Sequence, residues 1–245
     1  MTTASINMAI YRHHIPYLLD ILGISDLSRD PVLIFGFHDC IYLPRKTLIQ
    51  FIKHHIKLGL QLLLKRKFRG LKRRSIGKIP EKYMATSFQE ILERYEMHDV
   101  KILDWFDHRA DIQLDMNHPI PSDLKERFNT LFDFGSIEHV FDTKQCMMNL
   151  FDLLKLDGHL ILHTPCNGYF DHGFHTFSPE CLLQTLDLNG FEIKYLKYTS
   201  PDGLELGNPD SVCDTLIWIV AKKVQETECF KIPQQGRWKE KYDNL

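Results

Sequence analysis

Apolar residues along the chain fall into short continuous runs that alternate with stretches of helical spacing. Residues 30–37 (DPVLIFGF) form a continuous apolar run that ends in a glycine region, which is typical of a strand buried on both faces. Such a strand belongs in the middle of a sheet covered by helices. The same criterion predicts further strands at 100–106, at 110–116, in the runs that end at Phe134 and at Pro165, at 191–199 and at 215–224.

Stretches with helical spacing lie between most of these runs. Residues 8–23 carry apolar side chains at every third or fourth position and end in a glycine, which is typical of a helix C-cap. A longer helical stretch with one apolar stripe begins at Pro44. Ser87–Glu90 is a capping box that begins a helix running to about His98. Shorter helices are predicted at 121–128, after Thr143 and from Ser178.

The alternation of strands and helices predicts one α/β domain over residues 1–245, with a helical insertion at 41–98 between the first and second strands. A chain of 245 residues, 44% apolar and 25% charged, suits one such domain. Its six cysteines lack a CxxC pair, which favours reduced thiols in the cytosol. The N-terminus lacks a signal-peptide pattern, and no run approaches the roughly 18 apolar residues of a membrane span. We therefore expect a cytoplasmic protein that at most lies on a membrane surface.

The block at 129–193 carries the most specific pattern. It runs as a strand, a polar loop with Glu138 and His139, a helix, an Asp-Gly turn, a second strand and a second loop. This order resembles the C-terminal half of a class I S-adenosylmethionine-dependent methyltransferase. Its second loop, HGFHTFSPE at 172–180, resembles the HGFxxFSPE segment of a methyltransferase type 11-like subgroup. The resemblance implies a Rossmann-like, seven-stranded, mostly parallel sheet with an antiparallel last strand, extra helices near the N-terminus, and S-adenosylmethionine as cofactor.

The resemblance also implies where the methyl donor binds. VLIFGFHDC at 32–40 resembles the family's first glycine-rich motif, in which the chain turns sharply beneath the methionine part of the cofactor. Gly36 matches that motif, whereas Ile34 replaces its acid and His38 and Cys40 replace its other glycines. Only glycine lets the backbone approach a ligand so closely, so these replacements also favour a related protein that has lost catalysis.

Two aspartates at predicted strand ends match the family's nucleoside contacts. Asp104 matches the position at which the family has an acidic residue that accepts hydrogen bonds from both ribose hydroxyls. An ionised carboxylate suits this bidentate role because it has two acceptor oxygens. Asp115 matches the residue that receives the adenine amino group, with Met116 packing against the ring. Gly135, after the following strand, completes the predicted cofactor site. The alternative is that these aspartates only stabilise turns.

Three histidines are candidates for the chemistry. Methyl transfer to a hydroxyl or a protonated amine needs a base, and an imidazole suits proton removal at neutral pH. His139 follows Phe134-Gly135 closely and is the first candidate, unless it merely caps the next helix. His172 and His175 lie in the loop that faces the acceptor in the resembling subgroup, unless that loop only positions the helix after Ser178.

A metal site was weighed because His163, Cys166, His172 and His175 are close in sequence. Their spacing does not match a structural zinc pattern, and one strand does not readily aim both His163 and Cys166 at one ion. The sequence therefore predicts no metal site. Methylation of DNA bases is also not expected, because FGSIEH replaces the (N/D/S)PP(Y/F) loop that accompanies it in the family.

The segment between Cys40 and Pro80 contains no acidic residue and twelve Lys and Arg residues. Combined with the apolar stripe, residues 45–78 predict a basic amphipathic helix. Such a helix suits an anionic membrane surface, a phosphate-rich acceptor or nucleic acid. The alternative is an ordinary solvated helix face.

Three functions follow from these observations. The preferred one is an S-adenosylmethionine-dependent methyltransferase acting on a hydroxyl or amine of a small molecule or saccharide precursor, where the saccharide is implied by the resemblance alone. The second is a catalytically inactive binding or scaffold subunit of the same fold. The third is a peripheral protein that binds anionic surfaces through residues 45–78.

Overall fold

The computed structural model describes residues 8–11, 13–41, 88–207 and 214–234. The predicted insertion at 41–98 lies mostly outside these residues, as does the basic segment 45–78, so both stay predictions. Among the described residues, no helix has the length and apolar character needed to cross a membrane. In chain order, the helices and strands are β1 Met8–Tyr11, α1 Ile15–Leu22, β2 Val32–Phe35, β3 His38–Ile41, α2 Phe88–Glu93, β4 Val100–Leu103, β5 Phe128–Asp133, α3 Thr143–Leu153, β6 Leu154–Asn167, α4 Pro179–Leu188, β7 Phe191–Thr199, β8 Glu205–Leu206 and β9 Thr215–Lys223.

The main sheet has seven strands in the order β4-β2-β5-β6-β9-β7-β8. Strands β4, β2, β5 and β6 are parallel, while β9 runs antiparallel to both of its neighbours, β6 and β7. The predicted α/β fold, a mostly parallel sheet with an antiparallel last strand, is confirmed. The predicted antiparallel pairing of the last two long strands is confirmed as well. The seventh strand is the two-residue β8, paired with the end of β7.

The sheet is covered on both faces, as its continuous apolar strands require. Leu33 and Phe35 of β2 contribute to one cluster, which includes the buried side of α3 and α4. Val32 and Ile34 contribute to the other, which includes α1 and α2. Alternate side chains of β2 thus enter opposite clusters, and all four are buried.

Three local predictions were wrong. The predicted helix 121–128 is only a 3-10 turn, Ser122–Leu124, and Phe128 already begins β5. Residues 8–11 are a strand, paired in parallel with 38–41, and the predicted helix 8–23 begins only at Ile15, with Pro16 in its first turn. The predicted strand 110–116 reduces to one parallel bridge between Ile112 and Leu103. The chain leaves the sheet there because the Asp115 carboxylate accepts the backbone N–H of Asn117, two residues on, and so forms a turn.

Two helices in the C-terminal half begin directly after their N-cap residues. Ser178 accepts a hydrogen bond from the backbone N–H of Cys181 and begins α4, as predicted. Asp142 accepts from the backbone N–H of Gln145 and begins α3. Since Asp142 is the cap of α3, the alternative role of His139 as that cap is wrong.

The order of the parallel strands places a switch point beside β2. From β2 the chain continues to β4 on one side, and from β4 it returns to β5 on the other side of β2. In open α/β sheets, ligands bind outside the carboxyl ends of the strands at such a point. The loops that follow β2, β4, β5 and β6 therefore border the expected ligand site.

We predict that Gly190→Ala destabilises the protein by about 2 kcal/mol or more. Gly190 has φ +83°, and a Cβ there would clash with the Gln225 carbonyl oxygen; the backbone conformation alone costs a side-chain-bearing residue about 1–3 kcal/mol. Chemical unfolding measures the loss. Gly23→Ala is the control, because Gly23 ends α1 with φ −85° and tolerates a Cβ better. Equal losses in the two variants would contradict this explanation.

Candidate functional site

Two glycine turns meet at the switch point. Gly36 follows β2 with φ +84°, and Gly135 follows β5 with φ +96°. Phe35 pairs with Asp133 in the adjoining strand, and the Ser136 hydroxyl donates to the Phe35 carbonyl oxygen at 2.7 Å. The two turns are therefore tied to each other, and each has a glycine within two residues of the end of its strand.

Asp104 lies directly after β4, at the same edge. Its Oδ2 accepts the Phe37 backbone N–H at 3.1 Å, and its Oδ1 accepts those of Phe106 at 2.8 Å and Asp107 at 3.0 Å. A carboxylate offers roughly four acceptor positions. Residues that the structure describes use three of them, which leaves one, on Oδ2, that suits a single hydroxyl of a ligand.

An arginine that the sequence analysis did not select lies over this turn. The Arg109 guanidinium is 3.8 Å from the centre of the Phe37 ring. It also donates to Asp107, at 2.9 Å through Nε and 2.6 Å through Nη2. Its hydrogen bonds lower the pKa of Asp107 to about 2. Arg109, Phe37 and Asp104 together fix the shape of the chain beside Gly36.

Asp115 and Met116 belong to the turn that follows the bridge at Ile112. Asp115 Oδ1 accepts the backbone N–H of Asn117 at 2.9 Å and its side-chain amide at 2.6 Å, which lowers the pKa of Asp115. Met116 is buried, and its carbonyl oxygen accepts from the Asn149 amide of α3 at 3.2 Å. Hydrogen bonds and strand pairing thus join Gly36, Asp104 and Gly135, whereas Asp115 and Met116 are tied to α3.

Two buried carboxyl groups, Asp133 and Glu138, were missed from the sequence. Asp133, the last residue of β5, is completely buried and accepts the backbone N–H groups of Ser136 at 2.7 Å and Ile137 at 3.3 Å. Burial raises its pKa to about 7. The one available signal was an aspartate ending an otherwise apolar strand, just before the glycine turn.

Glu138 lies in the 3-10 turn Ile137–His139 and is 1% exposed. The Thr164 hydroxyl of β6 donates to its Oε2 at 3.0 Å. Burial, and then the nearby Asp133, raise the pKa of Glu138 to about 8. Buried carboxyl groups with strongly shifted pKa values are frequent at functional sites.

The structure brings His139 and His172 together beside Glu138. Their ring centres are 5.1 Å apart, and His172 Nε2 lies 3.8 Å from Glu138 Oε1. Burial, and then His172, lower the pKa of His139, so its imidazole is neutral at neutral pH. One ligand atom from each of Glu138, His139 and His172 lies within 4.8 Å of the others.

His175 takes a different position. Its Nε2 lies 3.0 Å from the Phe141 carbonyl oxygen, and its backbone N–H donates to the Glu138 carbonyl oxygen at 3.1 Å. It therefore fastens the loop after β6 to the turn after β5. His163 and Cys166 lie on opposite faces of β6, the first against Trp218 and the second in the other apolar cluster.

Exposed aromatic side chains surround this edge of the sheet. They belong to the loops that follow β4, β5 and β6, and each is at least half exposed. They are Trp105, Phe106, Phe141, Phe170 and Phe174.

No family model matches the sequence, and no curated protein matches it. Solved structures with a similar chain trace include S-adenosylmethionine-dependent methyltransferases. A Bacillus halodurans protein assigned provisionally as a methyltransferase has 13% identity and a TM-score of 0.43, over 57% of this chain and 87% of that one. A Mesorhizobium loti S-adenosylmethionine-dependent methyltransferase has 12% identity and a TM-score of 0.39, over 54% and 84%.

The 1,6-didemethyltoxoflavin N1-methyltransferase of Burkholderia thailandensis, solved with bound 1,6-didemethyltoxoflavin and S-adenosylhomocysteine, has 14% identity and a TM-score of 0.38, over 56% of this chain and 67% of that one. All three TM-scores are below 0.5. The assignment of the fold to this chain therefore rests on its own strand order and connections.

We predict that Asp133 makes the free energy of unfolding fall as pH rises from about 4 to about 7, against the opposite contribution of His14, His139 and His159, whose pKa values burial lowers in the folded protein. The folded-state pKa of Asp133 is raised above the value of about 3.9 in unfolded chains. The unfolded chain therefore releases this proton within that window while the folded protein retains it. Each unit of pKa difference corresponds to about 1.4 kcal/mol.

Denaturant unfolding at several pH values measures this dependence in the wild type, in Asp133→Asn and in the control Asp123→Asn, an exposed carboxyl in the 3-10 turn Ser122–Leu124. Asp133→Asn should remove this contribution, so that its stability declines less, or rises more, with pH than that of the wild type, and Asp123→Asn should keep the wild-type pH dependence. The same pH dependence in Asp133→Asn and in the wild type would rule out the contribution of Asp133.

Proposed function

We propose that this protein binds S-adenosylmethionine at the switch point and transfers a methyl group to a hydroxyl or amine of a small molecule or saccharide precursor. The observation that carries the proposal is the adjacency of Gly36 and Asp104. Gly36, in a left-handed backbone conformation, follows β2, and the Asp104 carboxylate follows the neighbouring strand β4. Open α/β sheets bind nucleotides at the carboxyl ends of such strands.

The residues present fit the cofactor. Gly36 has no side chain to keep a ligand from its backbone. Asp104 keeps one acceptor position on Oδ2, which suits one ribose hydroxyl. In this proposal Gly135 borders the cofactor on the β5 side, while Asp115 and Met116 receive the adenine. Bound there, the cofactor would supply an electrophilic methyl group on a positively charged sulfur.

The remaining residues would orient the acceptor and remove its proton. His139, held neutral at neutral pH by burial, would accept that proton through its imidazole. His172, whose ring centre lies 5.1 Å from that of His139, would help to orient the acceptor. His175 would act as a positioning residue, because it fastens the loop. Alignment and the exclusion of water supply most of the remaining catalysis in a displacement of this kind.

The exposed aromatic residues favour an acceptor with an apolar or planar part. Phe141 and Phe174 lie 5.7 Å apart in an edge-to-face arrangement at the side of the histidine cluster. Aromatic side chains bury a large area with specific geometry when a ligand packs against them. A flat ring or a sugar ring suits this surface better than a small, fully polar acceptor.

A specific observation also favours the inactive binding or scaffold subunit as a second candidate. Asp104 already accepts three backbone N–H groups, so its carboxylate stabilises the protein without any ligand. His38 and Cys40 stand where the family has glycines. In this alternative, the switch point is a structural turn, and no cofactor binds.

We predict that S-adenosylmethionine and S-adenosylhomocysteine bind the purified full-length protein with one-to-one stoichiometry. Asp104→Asn should weaken both by about 10- to 100-fold, because a hydrogen bond to a charged group contributes about 1.5–3 kcal/mol. Isothermal titration calorimetry measures the affinities, and chemical unfolding verifies that the variant is folded.

Asp123→Asn is the matched control, because this exposed carboxyl precedes β5, at the opposite edge of the sheet. It should bind like the wild type. No heat with either nucleoside for the folded wild type would reject the methyltransferase and favour the scaffold subunit. Binding that Asp104→Asn leaves unaltered would reject this position of the site.

A further inference from the structure

The turn after β5 and the loop after β6 bring three metal-binding side chains to one place. Glu138 and His139 are consecutive residues of the turn Ile137–His139, and His172 reaches them from the loop. The group considered from the sequence was His163, Cys166, His172 and His175. Of these, His172 belongs to the present cluster, while His163 and Cys166 lie on opposite faces of β6.

We propose that Glu138, His139 and His172 bind one divalent transition-metal ion, of which zinc is the reference case. One carboxylate and two imidazoles form the ligand set of open, three-ligand zinc sites and of ferrous sites with two histidines and a carboxylate. Magnesium and calcium prefer oxygen ligands throughout and fit this set poorly. The proposal does not depend on the binding of S-adenosylmethionine, and in the metal-bound form His139 is a ligand that is no longer available as the base of the proposed methyl transfer.

The distances require only a modest closure. The three ligand atoms lie within 4.8 Å of one another, and Glu138 Oε1 is 3.8 Å from His172 Nε2. Ligands about 2.1 Å from a tetrahedral ion lie about 3.4 Å apart. The widest separation must therefore shorten by roughly 1.4 Å at most. His172 lies in an exposed part of its loop, where such an adjustment is least hindered.

The carboxylate is oriented before any ion arrives. Thr164 donates to Glu138 Oε2 at 3.0 Å, which leaves Oε1 facing His172. A hydrogen bond of this kind to a liganding group is usual around protein metal sites. Thr164 is itself buried in β6, so the orientation is set by the sheet.

At the depth of Glu138, a carboxylate is stable in its ionised form only beside a positive charge. Glu138 is 1% exposed, and within the described part of the chain its one ion-pair partner is His172. His139 Nε2 is buried and receives no hydrogen bond from the described residues. Buried carboxylates are normally paired with a cation or coordinate a metal. An ion at this point would satisfy both side chains at once.

The loop that carries His172 is held against the turn by its own backbone. A Cβ at Gly173 would lie 2.9 Å from the Glu138 carbonyl oxygen, so glycine permits this close approach. The neighbouring His175 N–H donates to the same oxygen at 3.1 Å, and Phe177 N–H donates to the Pro165 carbonyl oxygen at 3.1 Å. His172 is thus fastened beside Glu138 from both directions along the chain.

We predict that the full-length protein, freed of metal by a chelator and dialysis, binds one equivalent of Zn²⁺. Glu138→Gln and His172→Ala should each weaken binding by more than about tenfold, because loss of even an outer-shell contact costs 10- to 100-fold. Calorimetry with a competing chelator measures the affinity, and the visible absorption of bound Co²⁺ reports the ligand geometry.

His98→Ala is the control for adventitious binding, because this exposed histidine precedes β4, at the opposite edge of the sheet. It should bind zinc like the wild type. His172→Ala also guards against misfolding, since the His172 side chain is 38% exposed and its removal leaves the core intact. Absence of one-to-one binding, or equal affinity in Glu138→Gln, His172→Ala and the wild type, would overturn the proposal.

Titration of the same metal-free protein with S-adenosylmethionine separates the two proposals. Zinc binding without nucleoside binding supports the metal site and rejects the methyltransferase. Nucleoside binding without zinc binding does the reverse, and it leaves Glu138, His139 and His172 as a hydrogen-bonded cluster.

Discussion

Parallel pairing of β2 with both β4 and β5 is the constraint on which the rest of the structure depends. Parallel strands that lie side by side end at the same edge of the sheet, so the segments that follow them are neighbours whatever their distance along the chain. This brings Gly36, Asp104 and Gly135 together across about a hundred residues of sequence. The Ser136 hydroxyl bond to the Phe35 carbonyl oxygen then locks the two turns at the switch point.

Two buried carboxyl groups lie close together at the same edge of the sheet. Asp133 and Glu138 are both buried, and Asp133 adds to the cost of ionising Glu138. The backbone N–H groups of Ser136 and Ile137 offset part of this cost for Asp133, and the Thr164 hydroxyl does so for Glu138. A stable fold has no need of two such groups, and a hydrophobic pair would serve packing better. The metal ion proposed at Glu138 would give one of these two groups a counter-charge.

Much of the sheet could be predicted because its strands bury both faces. A continuous run such as 32–35 needs no tertiary information to be recognised, and Ser178 identifies the start of α4 through a local hydrogen bond. The predictions failed where distant contacts decide. Residues 8–11 have helical spacing, yet they form a strand that pairs with 38–41. The predicted strand 110–116 does not form because the Asp115 carboxylate stabilises a turn there.

The candidate site was predictable in part for the same reason. Strand-end positions such as Gly36 and Asp104 can be read from the local pattern, and both lie at the switch point. Asp104 also accepts a hydrogen bond from the backbone N–H of Phe37, in the turn after β2. No local pattern reveals this contact, because the two residues are distant in sequence. The proximity of Glu138 to His172 likewise depends on the pairing of β5 with β6, and the depth of burial of Asp133 depends on both neighbouring strands.

The most direct test of the central claim is a crystal structure of the full-length protein grown with S-adenosylhomocysteine. The proposal predicts density for the nucleoside at the carboxyl ends of β2 and β4, with a ribose hydroxyl within hydrogen-bond distance of Asp104 Oδ2 and the homocysteine part beside Gly36. A nucleoside bound elsewhere, or an Asp104 still bonded only to the backbone of residues 37, 106 and 107 at saturating ligand, would contradict it.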